Sequence, residues 1–209
     1  MSSNASIVHL AIVPDEDVSD ADLVEAAVSG KRWAEELIYR RHVLAVSQTV
    51  ATLLGRMSDC EDVVQDTFLE ALGALRSLRE PAVLRGWLLR IAVHKCHRRF
   101  RKRKLLRVLG LDRGADDATL ARLASPALSV EHRAELARID GALSSLAERE
   151  RSAWILRHVH GHELTEVAEL SGVSLATTKR LLSRAQERVS RHVSMPPHAE
   201  SRMKGGRRE

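Results

Sequence analysis

Apolar residues recur along most of the chain at the spacing of an amphipathic α-helix. Within residues 85–104, Leu89, Val93, Cys96 and Phe100 follow one another at intervals of four, three and four residues, so they lie on one side of a helix. The same spacing, in segments bounded by capping residues or glycine, predicts three further helices at residues 19–30, 31–54 and 59–78. These four helices are expected to form a first domain at residues 19–104.

The helical spacing resumes in the last third of the chain. It predicts four more helices at residues 131–146, 148–159, 165–170 and 175–193, with turns at Ala147, Gly161 and Gly172. These helices are expected to form a second domain at residues 130–193.

The remaining segments lack a regular pattern. Residues 105–129 contain Gly110 and Gly114 among mixed residues, which is typical of a flexible linker. Residues 1–18 are interpreted as a flexible leader, and residues 194–209 as a disordered basic tail.

Composition agrees with an all-α protein that has two small cores. Of the 209 residues, 44% are hydrophobic and only 3% are aromatic, a balance that favours helices over sheet. Cys60 and Cys96 are far apart and match no metal-binding spacing, so a reducing, cytoplasmic location is expected. The apolar stretch at residues 7–14 is too short to span a membrane and has no basic flank, so neither a signal peptide nor membrane insertion is expected.

Positive charge is concentrated on the helix predicted for residues 85–104. Its polar side has no acidic residue and carries Arg90, Lys95, Arg98, Arg99, Arg101, Lys102, Arg103 and Lys104. Because nothing within the helix neutralises that charge, a phosphate backbone is the expected partner. The preceding predicted helix, at residues 59–78, carries negative charge instead. Its polar face is formed by Asp59, Asp62, Gln65, Asp66 and Glu70.

Residues 164–183 have the layout of a helix-turn-helix. Thr165 is expected to cap the first helix, small Ala168 to allow close packing, Gly172 to adopt a positive φ in the turn, and Ser174 to cap the second helix. The residues expected to face inward on the second helix are Leu175, Thr178, Leu182, Ala185 and Val189. Those expected to face a DNA major groove are Ala176, Thr177, Lys179, Arg180, Ser183 and Arg184. A plain helical hairpin has the same apolar spacing, but the basic outward face favours DNA binding.

Taken together, the two halves resemble a sigma factor of the extracytoplasmic-function (ECF) group, which keeps only the region 2 and region 4 domains of the sigma-70 family. DCEDVVQDTFLEAL resembles the polymerase-binding helix of region 2, and GWLLRIAVHKCHRRFRKR resembles its promoter-reading helix. LSSLAERERSAWILRHVHGHELTEVAELSGVSLATTKRLLSRAQERV resembles region 4. The resemblance covers about residues 20–104 and 130–193.

The resemblance implies a non-enzymatic factor, without a cofactor, that binds core RNA polymerase, directs it to promoters and helps to open the DNA. Its implied partners are core polymerase, double-stranded and opened promoter DNA, and an anti-sigma factor. The implied polymerase-binding residues are Asp59, Asp62, Gln65 and Asp66. Region 2 would contact the minus-ten element through Arg85, Trp87, Arg90, His94, Lys95, Arg98, Arg99, Arg101 and Lys102. Region 4 would contact the minus-thirty-five element through Ser174, Ala176, Thr177, Lys179, Arg180, Ser183 and Arg184.

At several positions the chain departs from the residues usual in that family. His94 replaces the usual Asn and Arg98 an acidic or amide residue, so a changed minus-ten preference is expected. Leu181 stands where Arg is common, which predicts a changed minus-thirty-five preference. Pro81 replaces the Gly or Ser usual in the loop that would receive a flipped base.

Other interpretations of the same residues are weaker. The acidic residues within 59–70 are spaced so that they share one face of a helix. This spacing favours a partner-facing helix surface over the metal-binding carboxylate cluster of a nuclease. Zinc binding by His94, Cys96 and His97 is disfavoured, because three ligands this close on one helix cannot converge, and a core cysteine is favoured. The histidines at 158, 160 and 162 are interpreted as a solvated turn, with a pH or metal sensor as the alternative. Trp87 and Trp154 are interpreted as core anchors, with base stacking as a second role open to Trp87 because it begins the basic helix.

The main alternative function is a stand-alone helix-turn-helix regulator whose first domain dimerises or binds a ligand. The basic helix of the first domain argues against it, since such a regulator needs one DNA-reading module per chain. An RNA-binding structural protein is disfavoured by the scarcity of aromatic residues on which bases could stack.

Overall fold

The computed structural model of the protein describes residues 18–55, 57–109 and 129–194. Within these ranges every regular element is helical and there is no β-strand, which confirms the expected all-α class. Nearly all of the predicted leader and tail, and most of the predicted linker, lie outside the described residues. No helix in the described part of the chain is long and apolar enough to cross a lipid bilayer.

The first domain is a helical bundle whose α1 is fixed by a capping box. Its elements are α1 (Asp20–Val28), α2 (Arg32–Leu54), α3 (Met57–Ala74), the 3-10 turns Leu75–Ser77 and Pro81–Val83, and α4 (Leu84–Val108). Ser19 Oγ accepts the N–H of Asp22 at 3.2 Å, and the Asp22 carboxylate accepts the N–H of Ser19 at 3.3 Å. Gly55, with φ of 72°, ends α2 in the left-handed conformation.

Helix α4 lies at the centre of this domain, packed against both α2 and α3. Leu89, Val93, Cys96 and Phe100 are all buried, which confirms the predicted apolar stripe. The predicted start of the linker at residue 105 is wrong, because α4 continues to Val108. The chain has no glycine or proline between α4's predicted end and residue 110, so nothing stops the helix earlier.

The buried face of α2 mixes apolar and polar residues. Ala34, Ile38 and Leu53 are buried, and so are His42 and Thr49, whereas Leu44 is 66% exposed. Polar residues on a buried face weaken the hydrophobic periodicity by which such a face is recognised in the sequence.

The second domain consists of α5 (Val130–Ser144), α6 (Glu148–His158), α7 (Leu164–Ser171) and α8 (Leu175–Ser194), close to the predicted boundaries. Trp154 is buried at its centre and donates its Nε1–H to Gln186 Oε1 at 3.0 Å, as expected of a core anchor. The predicted cap Thr165 is wrong: α7 is capped by Glu163, whose N–H donates to Glu166 Oε2 at 2.8 Å. Leu175, predicted to be inward, is 39% exposed because it is the first residue of α8.

The two domains contact each other at two places. Helix α7 packs against α4, and α6 packs against α2 and α4. The helix-turn-helix of the second domain therefore lies beside the basic helix of the first.

Candidate nucleic-acid and protein interfaces

The acidic face of α3 has an exposed part and a buried part. Asp62, Gln65 and Asp66 are exposed. Asp59 is only 17% exposed and accepts a hydrogen bond at 2.7 Å from Arg99 Nη2, while Arg103 Nη2 donates to its other oxygen. Burial alone would raise the pKa of Asp59, but the hydrogen bonds from Arg103 and Arg99 outweigh burial and hold that pKa below its usual value. Asp59 thus joins α3 to α4. Asp62 also accepts a hydrogen bond from Arg99, at 3.2 Å, but its side chain is 66% exposed, so it faces a partner together with Gln65 and Asp66.

An apolar groove of about 1010 Å³ lies between α2 and α3, next to that exposed acidic part. It contains the large side chains Trp33, Tyr39 and Leu69, which are 41%, 44% and 64% exposed. The Tyr39 and Phe68 rings meet edge to face with centroids 4.8 Å apart. The charged groups at its edge are mostly acidic, from Glu35, Glu36 and Glu61, with Arg32 as the basic exception; Gln65 adds a neutral amide. A large exposed apolar surface with a polar rim indicates a protein-binding site.

The polar side of α4 is the most basic surface of the first domain. Its exposed side chains are Arg85, Arg90, His94, Arg98, Arg101 and Lys102, and Trp87 beside them is half-buried. Partial burial, and then the nearby Arg90 and Arg101, lower the pKa of His94, so its imidazole is neutral at pH 7. This surface presents cations together with one neutral hydrogen-bonding ring.

Two of the basic residues predicted to contact DNA instead face α3. Lys95 Nζ lies 2.8 Å from Glu70 Oε2. Arg99 Nη2 lies 2.7 Å from Asp59 and 3.2 Å from Asp62. These ion pairs orient α4 on α3 and leave the other basic residues on the outer side.

The α7–turn–α8 unit has helix-turn-helix geometry. Gly172 has φ of 64°, as expected, and Ser174 Oγ accepts the N–H of Thr177 at 3.2 Å to cap α8. Ala168 and Ala185 are buried between the helices. On the outer side of α8, Ser174, Ala176, Lys179, Arg180, Ser183 and Arg184 are exposed and Thr177 is half-buried. The first turn of α8 has no acidic residue, so its outer face is suited to a polyanion.

Comparison with known proteins identifies the family. The family model of sigma-70 region 2 matches residues 38–105, and that of sigma-70 region 4 matches residues 136–189. ECF RNA polymerase sigma factor SigM of Mycobacterium tuberculosis strain H37Rv is 30% identical over 174 residues, which cover 83% of this chain and 84% of SigM. The chain belongs to the ECF group of sigma-70 factors. The sigma factor is therefore a non-enzymatic transcription initiation factor, as expected.

Two further relatives have known structures. CnrH of Cupriavidus metallidurans is 30% identical over 178 residues, which cover 82% of this sigma factor and 93% of CnrH. The structure of CnrH in complex with the cytosolic domain of CnrY matches with a TM-score of 0.57 at 26% identity, over 82% of this chain and 95% of that one. The structure of RpoE of Bartonella quintana in complex with the anti-sigma factor NepR matches with a TM-score of 0.58 at 24% identity. The match covers 74% of this chain and 93% of that one, and it shows that the fold is shared.

The histidines of this sigma factor differ from the solvated turn that was predicted. His158 is exposed, but His160 Nε2 lies 2.6 Å from Thr52 Oγ1 of region 2, and His162 is half-buried, 3.4 Å from Glu166. The prediction was wrong for His160 because the other domain packs against this turn. Within the described residues, no three His, Cys, Asp or Glu side chains are grouped as a metal site would require.

The two cysteines of the sigma factor are buried and His97 is half-buried. Cys96 is fully buried, as expected of a core residue; its burial raises the pKa of the thiol, and no disulfide joins it to Cys60. Burial, followed by the charge of Arg149, lowers the pKa of His97 to about 4. The apolar groove between α2 and α3 was not predicted. Leu69 on the outward side of α3, together with Trp33 and Tyr39, was the signal in the sequence that pointed to it.

Proposed function

We propose that this sigma factor binds core polymerase through α3 and the groove beside it, reads the minus-ten element with α4, and reads the minus-thirty-five element with α8. The observation that carries the proposal is the presence of two basic, outward-facing helix surfaces in separate domains, with an acidic and apolar surface between α2 and α3. In a promoter-specificity factor, the two basic surfaces contact separate DNA elements and the third holds the enzyme.

The proposed polymerase site consists of Asp62, Gln65 and Asp66 together with the apolar groove. A helical coiled coil that presents apolar residues beside basic ones would complement both the groove and its acidic edge. Asp59, which the resemblance placed in this set, acts within the domain by orienting Arg99 and Arg103.

The proposed promoter contacts divide between the two domains. Region 2, at residues 19–104 with α4 extending to 108, would use Arg85, Trp87, Arg90, His94, Arg98, Arg101 and Lys102. Lys95 and Arg99 would position α4 rather than contact DNA, since both pair with acidic residues of α3. Region 4, at residues 130–193, would use Ser174, Ala176, Thr177, Lys179, Arg180, Ser183 and Arg184. Most of these side chains are exposed, as a DNA contact requires.

We place the protein in the cytoplasm, with core polymerase and the chromosome, and propose that an anti-sigma factor restrains it there. The support is that its relative CnrH forms a complex with the cytosolic domain of another protein, CnrY. Such a protein would compete with polymerase for the apolar groove, which is exposed in the described part of the chain.

The test is in vitro transcription with core polymerase on genomic DNA fragments, with core polymerase alone as the control. The proposal expects discrete transcripts that depend on the protein and whose start sites share two upstream elements. Sequence-specific DNA binding by the protein alone, with no new transcripts from core polymerase, would instead identify a stand-alone helix-turn-helix regulator.

A further inference from the structure

Three side chains at the N-terminal end of α8 form a chain of hydrogen bonds. Arg180 Nη2 donates to Thr177 Oγ1 at 3.4 Å, and the Thr177 hydroxyl lies 3.0 Å from Ser174 Oγ. The three residues are spaced by three positions, so their side chains are neighbours along one side of the helix. Arg180, in the part of α8 that would enter the major groove most deeply, is therefore joined to the residue that caps the helix.

The directions of these hydrogen bonds follow from which atoms carry hydrogen. The Arg180 guanidinium has only donors, so the Thr177 hydroxyl oxygen is its acceptor. The Thr177 hydroxyl hydrogen is then directed to Ser174 Oγ, which also accepts the backbone N–H of Thr177 at 3.2 Å. Hydrogen bonds that run in one direction polarise and strengthen one another. Thr177 thus accepts from the arginine on one side and donates to the cap on the other.

Arg180 differs in this respect from the other cations on the outer side of α8. Lys179 and Arg184 are exposed, and no hydrogen bond or ion pair joins either of them to another described residue. Leu181, at the position where arginine is common in the family, is half-buried against the core. Of the outward cations in the N-terminal half of α8, Arg180 is therefore the one that the described chain holds in place.

The bond to Thr177 leaves Arg180 able to read a base. It uses one of the five N–H donors of the guanidinium, and two parallel donors are enough to bind guanine O6 and N7. On the same side of α8, Ala176 and Ser183 are too short to cover the guanidinium. Thr177 itself is half-buried and its hydroxyl is engaged by Ser174 and Arg180, so less of it is available to DNA.

We propose that Thr177 is a positioning residue that directs the Arg180 guanidinium to one base pair of the minus-thirty-five element, and that it does not itself contact the DNA. The inference rests on the proposed role of α8. An arginine that is not held is free to turn to neighbouring phosphates, which it binds whatever the sequence. It also loses more conformational freedom on binding. Holding Arg180 therefore raises discrimination at its base pair more than it raises affinity for every promoter.

The test is transcription by core polymerase and full-length variants from a promoter library randomised over the minus-thirty-five element. Thr177→Val removes the hydroxyl but keeps the shape of the side chain and the backbone N–H that Ser174 accepts. Thr177→Ala, which favours the helix more, repeats the test with a smaller side chain. Thr177→Ser keeps the hydroxyl. The matched control is Thr165→Val, the same chemical change at an exposed position of α7 outside the proposed contacts.

The proposal expects Thr177→Val and Thr177→Ala to reduce discrimination about threefold at a single base pair, the one that Arg180→Ala relaxes. The effect is smaller than the roughly tenfold loss expected from Arg180→Ala, because the arginine remains and its 3.4 Å bond is a long one. Thr177→Ser and the control should keep the wild-type preference. An equal loss at all promoters would mean that Thr177 contacts phosphate or only supports the fold, and would overturn the proposal.

Thr177→Val in the Arg180→Ala background distinguishes positioning from direct reading. If Thr177 acts through Arg180, discrimination at that base pair falls no further when both residues are changed. A further loss in the double variant, or a changed preference at another base pair, would show that Thr177 touches a base itself, and the proposal would fail.

Arg180→Ala by itself tests the proposed function on which the inference rests. If it leaves every base preference unchanged, α8 does not read DNA through Arg180, and both the assignment of Arg180 and the role of Thr177 fail. If it relaxes one base pair and the Thr177 variants have no effect there, only the role of Thr177 fails and that of α8 stands.

Discussion

Asp59 shows how one residue of a surface motif can have a role inside the domain. Asp59, Asp62 and Asp66 lie on one face of α3, and Asp62 and Asp66 are exposed. Asp59 is instead largely buried, between Arg99 and Arg103. Two arginines of α4 meet one carboxylate of α3, so α4 is held at a fixed angle on the domain. That angle directs Arg90, Arg98 and the other outer cations of α4 away from α3.

His97 should make the stability of the protein depend on pH. Its pKa lies near 6.5 in an unfolded chain and near 4 in the folded protein, because of burial and the charges of Arg149 and Arg101, with His94 also close. As pH falls from about 6.5 towards 4, the unfolded chain takes up the proton first, so folding is destabilised over that window and not above it. We expect a loss of about 1 to 2 kcal/mol between pH 7.5 and pH 5.

The measurement is urea unfolding at both pH values, with His97→Gln as the comparison. Glutamine cannot take up a proton, so the variant should lose less stability than the wild type between the two pH values. Identical pH dependence of the two proteins would show that His97 is accessible to protonation in the folded state.

Arg180 and Arg184 should have different roles on α8. Arg180 lies in the N-terminal half of the recognition helix, the part that enters the major groove most deeply, and Arg184 lies about one turn further along. Arg180→Ala should relax preference at one base pair of the minus-thirty-five element by about 1 to 3 kcal/mol. Arg184→Ala should weaken binding to every sequence alike and reduce the salt slope by about one unit.

A promoter library transcribed with each variant at two salt concentrations distinguishes these effects. A uniform loss from Arg180→Ala, or a changed base preference from Arg184→Ala, would mean that the reading face of α8 is rotated relative to this assignment. Leu181, half-buried where arginine is common in the family, is the residue expected to cause such a rotation.

At the scale of single elements, α3 has two functional sides. One side packs Val64, Phe68 and Ala71 into the core, and the other presents Asp62 and Asp66 next to the apolar groove. Asp62→Lys with Asp66→Lys should abolish retention by core polymerase, because both charges of the proposed site are reversed. The free energy of unfolding should change by about 0.5 kcal/mol at Asp66, which is exposed, and by up to about 1 kcal/mol at Asp62, whose exposed ion pair with Arg99 is lost.

A pull-down with core polymerase, together with urea unfolding, checks this prediction. Glu25→Lys with Glu135→Lys makes the same change in charge on exposed positions of other helices and should leave retention intact. If the α3 variant is retained as well as this control, the acidic face is not the polymerase site.

At the scale of the whole molecule, the sigma factor offers few aromatic side chains to hold an opened strand. Around α4 these are Trp87, which is half-buried, and Phe100, which is buried in the core. Promoter opening should therefore depend on charge and on capture of a base, and so require a close match to the promoter. Permanganate footprinting on a set of unrelated promoters measures this requirement; efficient opening at many of them would contradict it.

The sequence alone determined the helices and the two domains. The apolar stripe of α4 and the turn at Gly172 could be predicted because both depend on local chain geometry: side chains three or four residues apart share a helix face, and a left-handed turn favours glycine. The capping residue of α7 was missed because Glu163 and Thr165 both lie near the start of that helix, and the competition between them depends on where the first turn begins.

The tertiary structure alone decided which of the predicted residues share a surface. Arg99 and Arg101 are the same residue type, two positions apart on one helix. Arg99 faces α3 and pairs with Asp59, whereas Arg101 points away from α3 and is exposed. His160 and Thr52 are in contact although they are 108 positions apart in the chain. The spacing of apolar residues along the sequence cannot predict a contact between residues so far apart. Local patterns determine what each helix is, whereas long-range packing determines which side chains remain available to polymerase and DNA.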